Sequence, residues 1–115
     1  MVTEFNVDAE QHGVDLLHHM PADDGVYMKE IRVPSGKEIF PHLHSFTHKS
    51  ILATGDAVIR KHGSEDLIVS GPYVVTIERG VQHSVVALTD IVWFCVHATD
   101  EQDHKKIDHT LVGED

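Results

Sequence analysis

Along most of its length the chain alternates apolar and polar residues over short runs, each closed by turn-forming residues. Residues 26–33, VYMKEIRV, alternate well enough for a strand, which Pro34, Ser35 and Gly36 end. Residues 37–44 read as the next strand, 49–54 continue apolar to a turn at Gly55 and Asp56, and 57–61 form a short strand. His62, Gly63, Ser64 and Glu65 have the composition of a hairpin loop, so 67–69 should pair back on 57–61. Ser70, Gly71 and Pro72 turn again before residues 73–77, YVVTI, a strongly β-prone run. Residues 83–88 and 91–97 are two further strands, linked by Thr89 and Asp90. Near the start, 13–17 fit a short strand at an edge or a dimer contact, and His18 and His19 after it read as exposed. Residues 21–25, PADDG, are a turn. From Thr99 onward the sequence is polar with few apolar anchors, which predicts a short surface helix or tail with His104 and His109 solvated. About eight to ten short strands, with turns every ~8–12 residues and no long amphipathic helix, predict an all-β sandwich or barrel.

Composition narrows the picture in three ways. A length of 115 residues fits a single domain spanning 1–115, and 41% hydrophobic with 24% charged residues describes a globular rather than a disordered chain. The net charge of -10, with only nine Lys and Arg scattered along the chain, excludes a nucleic-acid or anionic-membrane partner. The one cysteine, Cys95, sits inside the apolar run IVWFCV, so no intrachain disulfide is possible and a buried, inert thiol is expected. No signal-peptide pattern opens the chain and no apolar run approaches the ~18 residues of a membrane span, so the expected location is the cytoplasm.

The candidate chemistry lies in GKEIFPHLHSFTHKSILATG, residues 36–55, where His42, His44 and His48 fall within seven positions. On a strand, His42 and His44 share a face about 6–7 Å apart and can both reach one metal ion. A straight strand would carry His48 roughly 13 Å beyond His44. His48 therefore joins the same ion only if the chain bends near residues 45–47. A helical reading, with His44 and His48 one turn apart, is weaker because Pro41, Ser45, Thr47 and Ser50 are poor helix interior. The bland alternative is a histidine-rich solvated loop without metal.

Downstream, GPYVVTIERGVQH, residues 71–83, gives a strand, a glycine turn and His83 at the opening of the next strand. Taken together the two stretches resemble the cupin family, jelly-roll β-barrels with two short motifs on neighbouring strands. Gly36, His42, His44, His48 and Gly55 match the first motif throughout, with His48 in the place of the usual glutamate. Gly71, Gly80 and His83 match the second with one extra residue between the glycines; Glu78 stands where proline is usual and Ala87 where asparagine often is. The resemblance covers about residues 26–98. It implies a cupin-type jelly roll, a divalent metal held by His42, His44, His48 and His83, and a homodimer; the apolar runs 14–17 and 91–96 fit the dimer as exposed strand surface.

Four neutral imidazoles leave a divalent ion about +2, where three imidazoles and a carboxylate leave about +1. That should strengthen the ion as a Lewis acid and favour anionic ligands. Imidazole suits iron, copper, nickel and zinc, and the resemblance adds manganese, so ligand type does not name the metal. Phe40, Phe46, Val85 and Trp93 fit either an apolar pocket above the metal or the core. Cys95 and His97 share parity on the last strand and fit groups that orient a ligand, or, for His97, a structural histidine; His62 reads as solvated. The expected function is a metal-dependent oxidoreductase of the dioxygenase type acting on a small organic molecule, and the alternative is a non-catalytic protein that binds or senses a small anion or metabolite. A closed structural zinc site is disfavoured, since those usually include cysteine.

Overall fold

The computed structural model describes residues 3–4, 14–39, 47–103 and 105–106. These form ten strands: β1 Thr3–Glu4, β2 Asp15–His19, β3 Val26–Val33, β4 Glu38–Ile39, β5 His48–Thr54, β6 Asp56–Lys61, β7 Leu67–Ser70, β8 Tyr73–Ile77, β9 His83–Ala87 and β10 Ile91–Ala98. They build two antiparallel sheets, one of six strands in the order β1-β2-β3-β10-β5-β8 and one of four in the order β4-β9-β6-β7. The all-β jelly-roll expectation holds. β3 and β8 agree with the sequence to the residue, whereas β1 falls in a polar stretch that reads as no strand, and of the strand expected over 37–44 only Glu38–Ile39 is a strand among the described residues.

Two glycines fix how the sheets meet. Gly55 has φ +91, and a Cβ there would lie 2.4 Å from the Asp90 carbonyl oxygen. A Cβ on Gly71 would lie 2.8 Å from the Ala53 backbone. Neither position has room for a side chain. The two are also joined directly, because Gly71 N donates to the Gly55 carbonyl at 2.9 Å. The chain thereby passes from β5 to β6 and from β7 to β8, crossing between the sheets each time, within one tight corner.

Register arranges the inward side chains of the large sheet in levels. Leu16, Ile31, Trp93 and Leu52 lie opposite one another on β2, β3, β10 and β5. All four are buried, and with Val14, Val33, Ala57, Ile59, Val69, Val75, Ile77, Val85, Ala87 and Ile91 they make one apolar core. Trp93 and Val85 are thus core residues, and Cys95 packs on the same cluster from a half-buried position.

Two sequence readings need correction. His18 and His19 are half-buried rather than exposed. Both lie on β2 against β3, where strand alternation turns His18 inward to Tyr27 and His19 outward to Glu30. The second correction concerns the exposed strand surface assigned to 14–17 and 91–96. β2 and β10 are each paired on both sides, and Val14, Leu16, Ile91 and Trp93 are buried. The open sheet margins are elsewhere: β7 and β8 are outermost in their sheets and expose Leu67, Ile68, Tyr73 and Val74.

Beyond β10 the chain folds back, with Thr99 N donating to Gly25 O at 2.8 Å and the Gln102 amide to Pro21 O at 2.9 Å. Most of the expected tail or helix, with His104 and His109, lies outside the described residues. Among the described residues no helix is long and apolar enough to cross a membrane.

Candidate metal centre

His48 opens β5, which rules out the helical reading of the His44, His48 pair. β4 belongs to the four-stranded sheet and β5 to the six-stranded one, so the chain changes sheets between Ile39 and His48. The bend expected near residues 45–47 lies mostly outside the described residues. His42 and His44 themselves, with Phe40 and Phe46, lie outside the described residues.

His83 comes from the other sheet. It opens β9, opposite Lys61 on β6, and shares the inward face with Val85 and Ala87. Its Nδ1 lies 2.9 Å from the Val81 carbonyl oxygen. A carbonyl only accepts, so Nδ1 carries the proton and donates it, and in the neutral ring Nε2 keeps its lone pair. That Nε2 is buried and meets no hydrogen-bond partner among the described residues. A buried acceptor left unmatched costs about 1–3 kcal/mol. The cost disappears if the nitrogen binds a ligand, and a histidine oriented through Nδ1 by a backbone carbonyl is how proteins commonly present Nε2 to a metal.

His48 is built in the same way. Its Nδ1 donates to the Lys49 carbonyl at 3.2 Å, and the side chain is buried. Burial pushes its pKa below the ordinary histidine value; the bond to Lys49 opposes this, and the nearby His83 and Lys29 add to the depression. The neutral imidazole, the form that can ligate, is therefore favoured.

Around these two residues lies a polar, aromatic wall. His97, buried on β10, packs its ring 4.2 Å from that of His48 and, on its other side, 6.4 Å from Tyr27 in a stacked arrangement. Tyr27 is fully buried, and its hydroxyl meets His18 Nδ1 at 2.7 Å. One level further in, Lys29 lies opposite His18 on β2 and Cys95 on β10, and Cys95 opposite Ser50, whose hydroxyl points to the Cys95 sulfur at 3.7 Å. At the mouth near His83, Lys61 pairs with Glu78, which its hydrogen bond and charge hold below the ordinary glutamate pKa. Glu78, where proline is usual, thus anchors a lysine beside the site. His62, in the β6–β7 loop, is exposed.

Tyr27, His18 and Lys29 were not singled out by sequence. The signal was the period-two pattern of β3, but VYMKEIRV carries charge in both phases, Lys29 in one and Glu30 and Arg32 in the other, so neither face reads as the inner one. Among the described residues no three His, Cys, Asp or Glu side chains gather closely enough to hold a metal. What the structure brings together is His48, His83 and His97, and half of the expected ligand set is not among the described residues. The chemistry of the donors that are described fits a divalent transition metal, because His83 offers a buried, oriented and unmatched imidazole nitrogen.

No family model matches the chain, and no curated protein does. Solved structures do. The chain is similar to a predicted oxalate decarboxylase from Thermotoga maritima, at TM-score 0.62 and 19% identity over 72% of this chain and 77% of that one. A cupin-like protein from the same organism aligns at TM-score 0.63 and 17% identity, over 76% of this chain and 68% of that one. Ectoine synthase from P. lautus aligns at TM-score 0.67 and 13% identity, over 84% of this chain and 71% of that one. Identities this low establish architecture alone, and the architecture is the jelly-roll fold of the cupins.

Proposed function

We propose that the chain is a metal-dependent protein in which His42, His44, His48 and His83 hold one divalent transition metal, and that the site serves an oxidoreductase of the dioxygenase type acting on a small organic molecule. The observation that carries the reading is His83, with Nδ1 fixed on a backbone carbonyl and Nε2 buried without a hydrogen-bond partner among the described residues. A divalent ion there would supply Lewis acidity and redox capacity. The chain's own part is to favour the neutral form of His48 by burial, fix the tautomers of His48 and His83 through Lys49 and Val81, and exclude water with the rings of His97 and Tyr27. The neighbours carry different names, a decarboxylase and a synthase among them, so the fold does not choose the reaction.

A second reading is non-catalytic capture of a small anion at the same histidines, since this architecture suits binding proteins as well as enzymes. Elemental analysis of the purified protein, followed by oxygen-consumption assays with iron, manganese or copper restored, separates the two readings. His48→Ala should weaken metal binding at least about tenfold, the scale on which altering a metal site acts. Equal metal affinity in the variant and the unaltered protein would remove His48 from the ligand set.

A further inference from the structure

Four strands stand outermost in the two sheets, and among the described residues they fall into two kinds. β1 and β4 are two residues long, and each carries a glutamate, Glu4 and Glu38. β7 and β8 have four and five residues and carry no charge at all. Only Gly71 and Pro72 separate these two strands, so the free margins of both sheets adjoin. The sequence LIVSGPYVVTI, residues 67–77, holds no Asp, Glu, Lys or Arg; Glu65 and Asp66 precede it and Glu78 and Arg79 follow it.

Apolar exposure is concentrated on this margin. Ile68 is 71% exposed and Val74 61%, both at outward positions of their strands. Leu67 stands opposite the buried Ile59 and Tyr73 opposite the buried Leu52, so both share the phase of the core, yet they are 48% and 38% exposed. The sandwich is open along this seam. Leu88, the other large apolar side chain exposed among the described residues, adjoins the same corner: its N–H donates to the Asp56 carbonyl, and Asp56 stands opposite Ser70 at the end of β7.

An outermost strand points every second N–H and C=O away from its sheet, and proteins ordinarily shield such a margin with charge, proline or a bulge because it otherwise pairs with another chain. β7 and β8 contain neither a charge nor a proline. Charge also selects the occupant. The chain carries -10, so two copies repel over most of their surfaces. Residues 67–77 present nothing to repel, and the margin complements itself: apolar side chains meet apolar side chains, and antiparallel strands related by a two-fold axis exchange donors and acceptors.

We propose that this margin is the contact surface of a homodimer, in which β8 pairs antiparallel with β8 of a second copy and Leu67, Ile68 and Tyr73 close the seam. The strands involved are about 14 Å and about 17 Å long. That is a small interface beside the ~800 Å² per partner of a standard one, so association in the micromolar range is expected. The contact differs from the one expected at 14–17 and 91–96, and it does not depend on the metal reading.

The test is sedimentation velocity on the full chain from low micromolar to near-millimolar concentration. The unaltered protein should show a reversible monomer–dimer equilibrium that strengthens as sodium chloride is added, because salt screens the repulsion between acidic copies. Ile68→Lys and Val74→Lys, each confirmed as folded by an unchanged Tm, should each weaken the dimer at least about tenfold, since the two-fold axis brings like charges together. Each lysine lowers the net negative charge of the chain, so greater overall repulsion does not account for that loss. Thr3→Lys, the same charge change on β1, should leave the dimer intact. Amide hydrogen exchange on the unaltered protein gives a reading that needs no variant: protection over 67–77 should rise with protein concentration. A monomer at every concentration overturns the proposal, as does a dimer that Ile68→Lys and Val74→Lys leave unchanged or one whose added protection falls outside 67–77.

Discussion

On the inner face of the six-stranded sheet, β2, β3, β10 and β5 contribute Leu16, Ile31, Trp93 and Leu52 to one level and His18, Lys29, Cys95 and Ser50 to the next. A further step adds Tyr27, His97 and His48. The strands and hydrogen-bond ladders are the same throughout, and only the side chains change. At the apolar end, burial of aliphatic and indole surface stabilises the fold by roughly 1.5–3 kcal/mol per large side chain. At the other end each inward residue must find a polar partner, and the structure shows how several do: the Tyr27 hydroxyl on His18, the Ser50 hydroxyl on Cys95, and His48 and His83 on backbone carbonyls. The large sheet separates apolar from polar burial along its length, within strands of at most eight residues.

The largest expected break is at the apolar end. Trp93→Ala removes the buried indole at the centre of the core and should cost about 3–5 kcal/mol in urea unfolding. If the two ends are separable, metal uptake by the protein that remains folded should be unchanged. A loss of metal affinity as large as the loss of stability would show that they are not.

A smaller effect is expected on the outer face at the level of the polar end, where Glu30 joins β2 to β3. Burial works against its ionisation, but hydrogen bonds from His19 at 2.9 Å and Arg32 at 2.8 Å, with their charges, outweigh it and hold its pKa below the ordinary glutamate value. A depressed carboxylate stabilises the fold above its unfolded pKa and stops doing so as pH falls through the folded one. Unfolding followed against pH should therefore show stability lost on acidification below the ordinary glutamate range. Glu30→Gln should cost about 1–3 kcal/mol near neutrality and remove that part of the acid dependence. A variant with the same acid profile as the unaltered protein would place the pH response elsewhere.

The least perturbing change sharpens the comparison within the polar end itself. Tyr27→Phe keeps the ring against His97 and deletes only the hydroxyl on His18, so a loss of about 1 kcal/mol is expected, read as a shift of a few degrees in Tm. A loss of several kcal/mol would mean that the polar end also carries the fold.

How much of this was legible in the sequence follows the same division. β8 reads as a strand because YVVTI is β-branched and aromatic throughout, and β6 and β7 because a glycine-containing loop separates two apolar runs. Spacing exposes His48 and His83, since each sits a fixed distance from a glycine. Nothing local exposes Lys29, Tyr27 or His18. Their inward placement follows from which of two charged phases of β3 faces the core, and pairing with β10 decides that, more than fifty residues away. The misreading of His18 and His19 as solvated has a related cause: strand alternation sends one to each face of the sheet, and partners on β3, Tyr27 for His18 and Glu30 for His19, half-bury both.

The bond between Gly55 and Gly71 separates two kinds of information within the motifs. These glycines close the first motif and open the second, and each is required by a backbone that leaves no space for a methyl group. Their presence is a statement about chain geometry, and a jelly roll with no chemistry at all would need them equally. The histidines answer to no such demand, because a small apolar residue at position 48 or 83 would satisfy the barrel at lower desolvation cost. A descendant of this chain could lose every imidazole, keep its glycines, and still present the same outline to any comparison of shapes. Shape therefore reports chain geometry here and carries no record of the imidazoles at positions 48 and 83.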